Sequence, residues 1–101
     1  MSRRLCTMLV TLSATFTLLH ADDPATLYTA CSKCHGLHGE KSNFSRPIGG
    51  WQKQKLVEAL KGYRSGERNL RGQGSIMRQR LNGYSDVQIE ALAGYIATLK
   101  P

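Results

Sequence analysis

The sequence has no low-complexity stretch and no repeat at solenoid spacing, which excludes a disordered chain, a collagen-like chain and a repeat array. It also lacks an apolar run of the roughly 20 residues that a membrane span needs. The charge-free stretch Leu5 to Leu19 is 15 residues long and carries four Thr and a Ser. Three cysteines are too few for a disulfide scaffold, and no segment has a convincing strand pattern. At 101 residues the chain offers at most one domain with a thin core, which argues against a large enzyme with its own catalytic cleft. What is present is a globular composition, 41% hydrophobic and 21% charged, with 14 Lys and Arg against 7 Asp and Glu.

Arg3 and Arg4 followed by the charge-free stretch and then Leu19-His20-Ala21 have the layout of a secretory signal peptide. Residues 1–21 are therefore expected to be a leader cut after Ala21, although Leu19 is larger than the small residue preferred three positions before the cut. A retained leader would tether the protein to the membrane. Cys6 leaves with the leader, as do Met1 and Met8. Residues 22–101 keep all seven acids and lose two of the fourteen basic side chains, leaving a net charge of +5. A domain of 80 residues usually needs a disulfide, a metal or another staple, and the two remaining cysteines allow one disulfide at most.

Those cysteines stand in Cys31-Ser32-Lys33-Cys34-His35, a C-x-x-C-H motif and the attachment signature of a c-type haem. Two thiols one helical turn apart can add across the two vinyl groups on one edge of a porphyrin. A His directly after the second thiol is then held beneath the iron as its proximal ligand. Three other readings are weaker. A thioredoxin-like redox pair belongs to a βαβ chain, a zinc site would crowd Cys31, Cys34, His35 and His38 into eight residues, and a lone disulfide leaves His35 unexplained. For the other face of the iron, Met77 is the one methionine left after the leader, 42 residues beyond His35. A single Met is more often a core filler, but a Met/His axial pair is what electron-transfer cytochromes c use. His38, three residues from His35, would be trapped on the same side.

Asp23-Pro24 predicts the start of a short helix that runs through Ala25, Leu27, Tyr28 and Ala30 into the cysteines. Gly36 to Gly50 reads as a loop. Leu56, Val57, Leu60 and Tyr63 predict an amphipathic helix from Trp51 to about Tyr63. Gly62, Gly66, Gly72 and Gly74 then predict a loop carrying Arg64, Arg68 and Arg71 toward Met77. Ser85-Asp86-Val87-Gln88 is a capping box for a last helix, whose stripe Ile89, Leu92, Ala93, Ile96 and Leu99 should pack across the first. The expected fold class is all-α, with the haem forming much of the core.

The chain resembles a bacterial class I cytochrome c of the short, single-haem, His/Met-ligated kind. The blocks that carry this are Cys31 to Gly36, Tyr63-Arg64-Ser65-Gly66-Glu67-Arg68, and Tyr84-Ser85-Asp86 with Ala91-Leu92-Ala93-Gly94-Tyr95-Ile96. The resemblance implies three to four helices around one covalently attached haem c in a cytochrome c domain at 22–101. It implies Cys31 and Cys34 as thioether sites, His35 and Met77 as iron ligands, and the Pro47 carbonyl as the acceptor that holds His35. It places Tyr95 in an aromatic contact between the terminal helices and Trp51 near the propionates or in the core.

The activity this implies is a periplasmic one-electron carrier and not an enzyme. Its redox partners would be of the kinds the family uses: quinol–cytochrome c oxidoreductases, haem-copper oxidases, peroxidases or dehydrogenases. A basic monomer should meet them through their acidic surfaces, with Lys33, Arg78 and Arg80 as docking candidates and nucleic acid no partner. The alternative is a haem-based peroxidase or small-ligand sensor with a displaceable Met77.

Overall fold

The computed structural model describes residues 23–41 and 46–101, so the expected leader lies outside the described residues. Four α-helices and one short 3-10 turn make up the regular structure, and no strand occurs among the described residues. The all-α expectation holds. Helix α1 spans Pro24–His35 and begins as expected with proline at its first position, where the missing N–H costs nothing. The Asp23 carbonyl accepts the first helical hydrogen bond, from Leu27 N at 3.0 Å. Its carboxylate does not cap the backbone and instead accepts from the Thr26 hydroxyl at 3.2 Å.

After α1 the chain turns at Gly36, whose N–H donates to Ser32 O at 2.8 Å. The loop then closes on itself where Gly39 O accepts from Ile48 N (2.8 Å) and Gly49 N (3.1 Å). This crossing requires glycine. A Cβ on Gly49 would stand 2.2 Å from His38 O, and one on Gly39, at φ 66°, would stand 2.5 Å from Gly49 N.

Helix α2 covers Lys53–Ser65, two residues later at each end than the apolar period suggests, and stops at Gly66 in the left-handed conformation. It buries Leu56, Val57, Ala59 and Leu60. After the 3-10 turn at Leu70–Gly72, helix α3 runs from Gly74 to Leu81. Two expectations change here. Met77 sits on a helix and not in a loop, and Arg64 belongs to α2 and not to the glycine-rich segment.

Helix α4, Asp86–Thr98, has the full capping box: Gln88 N donates to Ser85 Oγ at 3.1 Å, and Ser85 N donates to Gln88 Oε1 at 2.8 Å. Its stripe Ile89, Leu92, Ala93 and Ile96 is fully buried, while Leu99 falls just past the helix end. α4 packs on both α1 and α2, and α3 packs on α2. Tyr28 of α1 meets Tyr95 of α4 with ring centroids 5.5 Å apart and planes tilted by 49°, so the expected aromatic contact between terminal helices is present. Arg64 ties the end of α2 to the start of α4 by donating to Tyr84 O at 2.7 Å and pairing with the Asp86 carboxylate.

Candidate haem site

The last turn of α1 carries Cys31 and Cys34 three residues apart, which on a helix places them on one face. Cys31 is half-buried and packs against the core, Cys34 is exposed, and both are free thiols. Burial, reinforced by the neighbouring Cys34 and opposed by Arg80, pushes the Cys31 thiol up to about 11. It is therefore a neutral S–H near pH 7, as expected for a thiol facing apolar surroundings. His35 closes the helix, and burial holds its pKa below the usual imidazole value. That favours the neutral ring, the form that can bind iron.

All three line a cavity of about 690 Å³ that opens between the helices. That volume lies within the range of about 300–1,000 Å³ for ligand pockets. Its walls are mainly apolar, with Leu56 and Leu60 from α2, Leu81 from α3 and Ile96 from α4. Met77 enters from α3, half-buried against the core. The apolar stripe of the amphipathic helix α2 thus faces two ways, because Leu56, Leu60 and Tyr63 also line the cavity. The charged residues in the wall are Arg46, Arg68 and Arg80, with no Asp or Glu beside them. A large apolar space with paired thiols and a neutral imidazole on one wall, and arginines as its charges, suits a flat apolar macrocycle that carries carboxylates.

The remaining predicted residues fall as follows. Pro47 is exposed and does not line the cavity, although its neighbours Arg46 and Ile48 do. Trp51 lines it, half-buried. His38 is exposed outside the cavity, and its backbone N–H donates to the Glu40 carboxylate at 2.8 Å. Among the described residues no three His, Cys, Asp or Glu side chains gather as a metal-binding group, so the crowded zinc alternative finds no site. Sequence reasoning missed Tyr84, Leu70, Gln73 and Ile76 as cavity residues. Their spacing carries no signal of it, because the 3-10 turn and the short α3 decide which side chains turn inward.

The site and the helical frame define the class: a small all-helical protein with a C-x-x-C-H haem-attachment site over an apolar cavity. Comparison with known proteins gives the family. The model for the cytochrome c family matches residues 21–100. The chain is 32% identical over 81 residues to cytochrome c-553 of Nitratidesulfovibrio vulgaris, covering 78% of each chain. It is 32% identical over 85 residues to cytochrome c-553 of Helicobacter pylori, covering 82% of this chain and 84% of that one. It is also 30% identical over 83 residues to cytochrome c-554(547) of Halothiobacillus neapolitanus, covering 74% and 91%. The chain belongs to the cytochrome c family, and its cofactor is a covalently attached c-type haem. Its biochemical role is that of a haem-based electron carrier.

Proposed function

We propose that this protein is an exported, periplasmic one-electron shuttle whose haem is held by thioethers to Cys31 and Cys34 and ligated by His35 and Met77. The observation that carries the reading is that one cavity takes its walls from the end of α1, with Cys31, Cys34 and His35, and from Met77 of α3. The bound haem supplies one-electron redox chemistry at its iron. The chain's own part is to hold it still and keep water away. Cys31, half-buried, and Cys34, exposed, would fix the haem at one wall, His35 would offer its iron a neutral imidazole, and the Met77 thioether would be a soft, neutral second ligand. Pro47 is assigned the acceptor role toward the His35 ring N–H, since the loop that carries it brings Arg46 and Ile48 to the cavity wall. Leader removal after Ala21 completes the export reading.

Ligated by the side chains of His35 and Met77, the haem would offer dioxygen and peroxide no iron site to occupy. The exchange with redox partners then runs through the cavity rim, where Leu70 and Ile76 are 54% and 50% exposed and Arg80 adds positive charge. Acidic surfaces on respiratory complexes fit this rim, with Lys33 and Arg78 as further contacts.

Met77→Ala tests the reading. The parent, in its ferric form, should be low-spin and show the weak far-red band of thioether ligation. The variant should lose that band, bind exogenous imidazole or azide, lower its midpoint potential and gain peroxidase activity. A parent that is already high-spin and reacts with peroxide would favour the peroxidase or ligand-sensor reading. A variant with an unchanged ferric spectrum and lowered stability would make Met77 a packing residue.

A further inference from the structure

The residues directly after His35 form a knot of hydrogen bonds, and one side chain closes it. Lys41 N donates to the His35 carbonyl at 3.0 Å, while the Gly36 carbonyl accepts from the Tyr28 hydroxyl at 2.6 Å and from Gly39 N at 3.3 Å. The Glu40 carboxylate folds back onto this stretch and accepts from its own backbone N–H and from His38 N, the latter at 2.8 Å. Those bonds, its own first, hold the carboxyl below the usual carboxylate range. The carboxylate also lies flat against Gly36. A Cβ on that glycine would stand 2.4 Å from the Glu40 Cδ and from both carboxylate oxygens. Gly36 has φ 83° and ψ 165°, a region essentially reserved for glycine, so the backbone leaves room for the carboxylate to seat.

An exposed carboxylate is ordinarily a solvated surface charge, and Glu40 is exposed. This one is turned onto the peptide backbone beside two buried glycines, Gly36 and Gly39. The knot also reaches both sides of the proposed proximal ligand. His35 is the last residue of α1, where helical carbonyls lack partners within the helix, and Lys41 N supplies the one for His35. Gly39 O accepts from Ile48 N and Gly49 N, which ties the knot to the segment that carries Pro47. Gly39 and Lys41 are the chain neighbours of Glu40, so its carboxylate fastens the stretch from which both ties are made.

We propose that Glu40 is a positioning residue for the proximal haem ligand: its carboxylate fastens the loop 36–41 and so fixes the backbone from which the His35 imidazole projects. This rests on the haem reading above and adds what keeps that ligand in one orientation. Pro47 is assigned to the imidazole ring, and Glu40 acts on the main chain that carries both His35 and Pro47. An electron carrier needs such support, because residues behind a ligand set its orientation and the ligand must hold one geometry in both oxidation states.

The experiment compares the haem-loaded ferric parent with three variants, at one pH, with haem attachment verified by intact mass. Glu40→Ala removes the acceptor, Glu40→Gln keeps an acceptor oxygen without the charge, and Glu58→Ala removes a like charge from the exposed face of α2. Proton NMR reads the hyperfine-shifted β-protons of His35, electron paramagnetic resonance reads the spread of g-values, and hydrogen exchange reads the Lys41 amide. In Glu40→Ala the Lys41 amide should exchange about tenfold faster, the His35 signals should shift or split, and the g-values should broaden. Glu40→Gln and Glu58→Ala should stay with the parent in all three. A Glu40→Ala variant with faster exchange but parental His35 signals and g-values would overturn the proposal and leave Glu40 as a loop fastener. Glu40→Gln or Glu58→Ala moving the His35 signals as far as Glu40→Ala would overturn it too, since charge alone would then be acting. If Glu40→Ala fails to fold or to take haem, the parent decides: the His38, Glu40 and Lys41 amides should all be protected, and exchange of any of them at the rate of a free peptide would overturn the assignment. A parent without attached haem, or with His35 protons free of hyperfine shift, would fail the haem reading itself, a result visible before any variant is compared.

Discussion

Tyr28 joins two parts of the molecule with one side chain. Its ring packs on Tyr95 of α4, while its hydroxyl donates to Gly36 O at 2.6 Å and so secures the turn directly after His35. Burial pushes its phenol up to about 12, so the hydroxyl stays a donor at any physiological pH. Tyr28→Phe should keep the ring contact and leave the Gly36 carbonyl with only the longer hydrogen bond from Gly39 N, at 3.3 Å. The expected cost is about 1 kcal/mol, read from denaturant unfolding of the haem-loaded protein. Tyr95 was legible in the sequence as half of an aromatic contact between terminal helices. Its partner was not singled out, because Tyr28 shares its helix with several apolar side chains and only the crossing of α1 and α4 selects one of them.

Among the elements, α4 was the most legible and α3 the least. Ser85 and Gln88 satisfy each other's backbone donors within four residues, a purely local arrangement that sequence displays in full. Ser85→Ala should destabilise the protein by about 1 kcal/mol in thermal or denaturant unfolding. The adjoining Asp86 is held below the usual carboxylate range, first by its hydrogen bond from Arg64 and then by the positive charge of Lys61 and Arg64. Its folded pKa is depressed, so its contribution is present above the unfolded value of about 3.9 and lost as pH falls through the folded one. Asp86→Asn should therefore lower stability at pH 7, with the difference from the parent shrinking below about pH 4 in pH-resolved melts. Helix α3 gave the opposite lesson. It begins on Gly74, whose N–H is capped by Asn69 Oδ1 at 2.8 Å, and it is only eight residues long. So short a helix is marginal on its own and is held by its packing on α2. Gly72 and Gly74 argued locally for a loop, and a tertiary contact outweighed them.

At the scale of the whole molecule, a cavity of about 690 Å³ cannot stand empty in so small a protein. Leaving even a third of it void would cost about 5 kcal/mol, comparable to the lower end of the stability of a typical domain. Replacing both Cys31 and Cys34 with Ala should therefore yield a largely disordered polypeptide, and a cooperative helical unfolding transition by circular dichroism in that variant would contradict it. The basic surface has its own consequence. Electron transfer to an acidic redox partner should slow as added salt shortens the Debye length below about 10 Å, measured by stopped-flow across an ionic-strength series. A rate indifferent to salt would point to docking through Leu70 and Ile76 instead.

By itself the sequence determined the helical class, the attachment motif with Cys31, Cys34 and His35, the cap and stripe of α4, and Met77 as the methionine to examine. Each of these lies within a dozen residues of chain or rests on a simple count, so local spacing carries it. Only the tertiary structure decided that Met77 stands on a helix, that Leu56, Leu60 and Tyr63 face a cavity as well as a core, and that Arg68 lines that cavity with its guanidinium over Tyr63. Those outcomes depend on side chains brought together from distant helices around a space the cofactor fills, and the shape of that space is set by packing between elements.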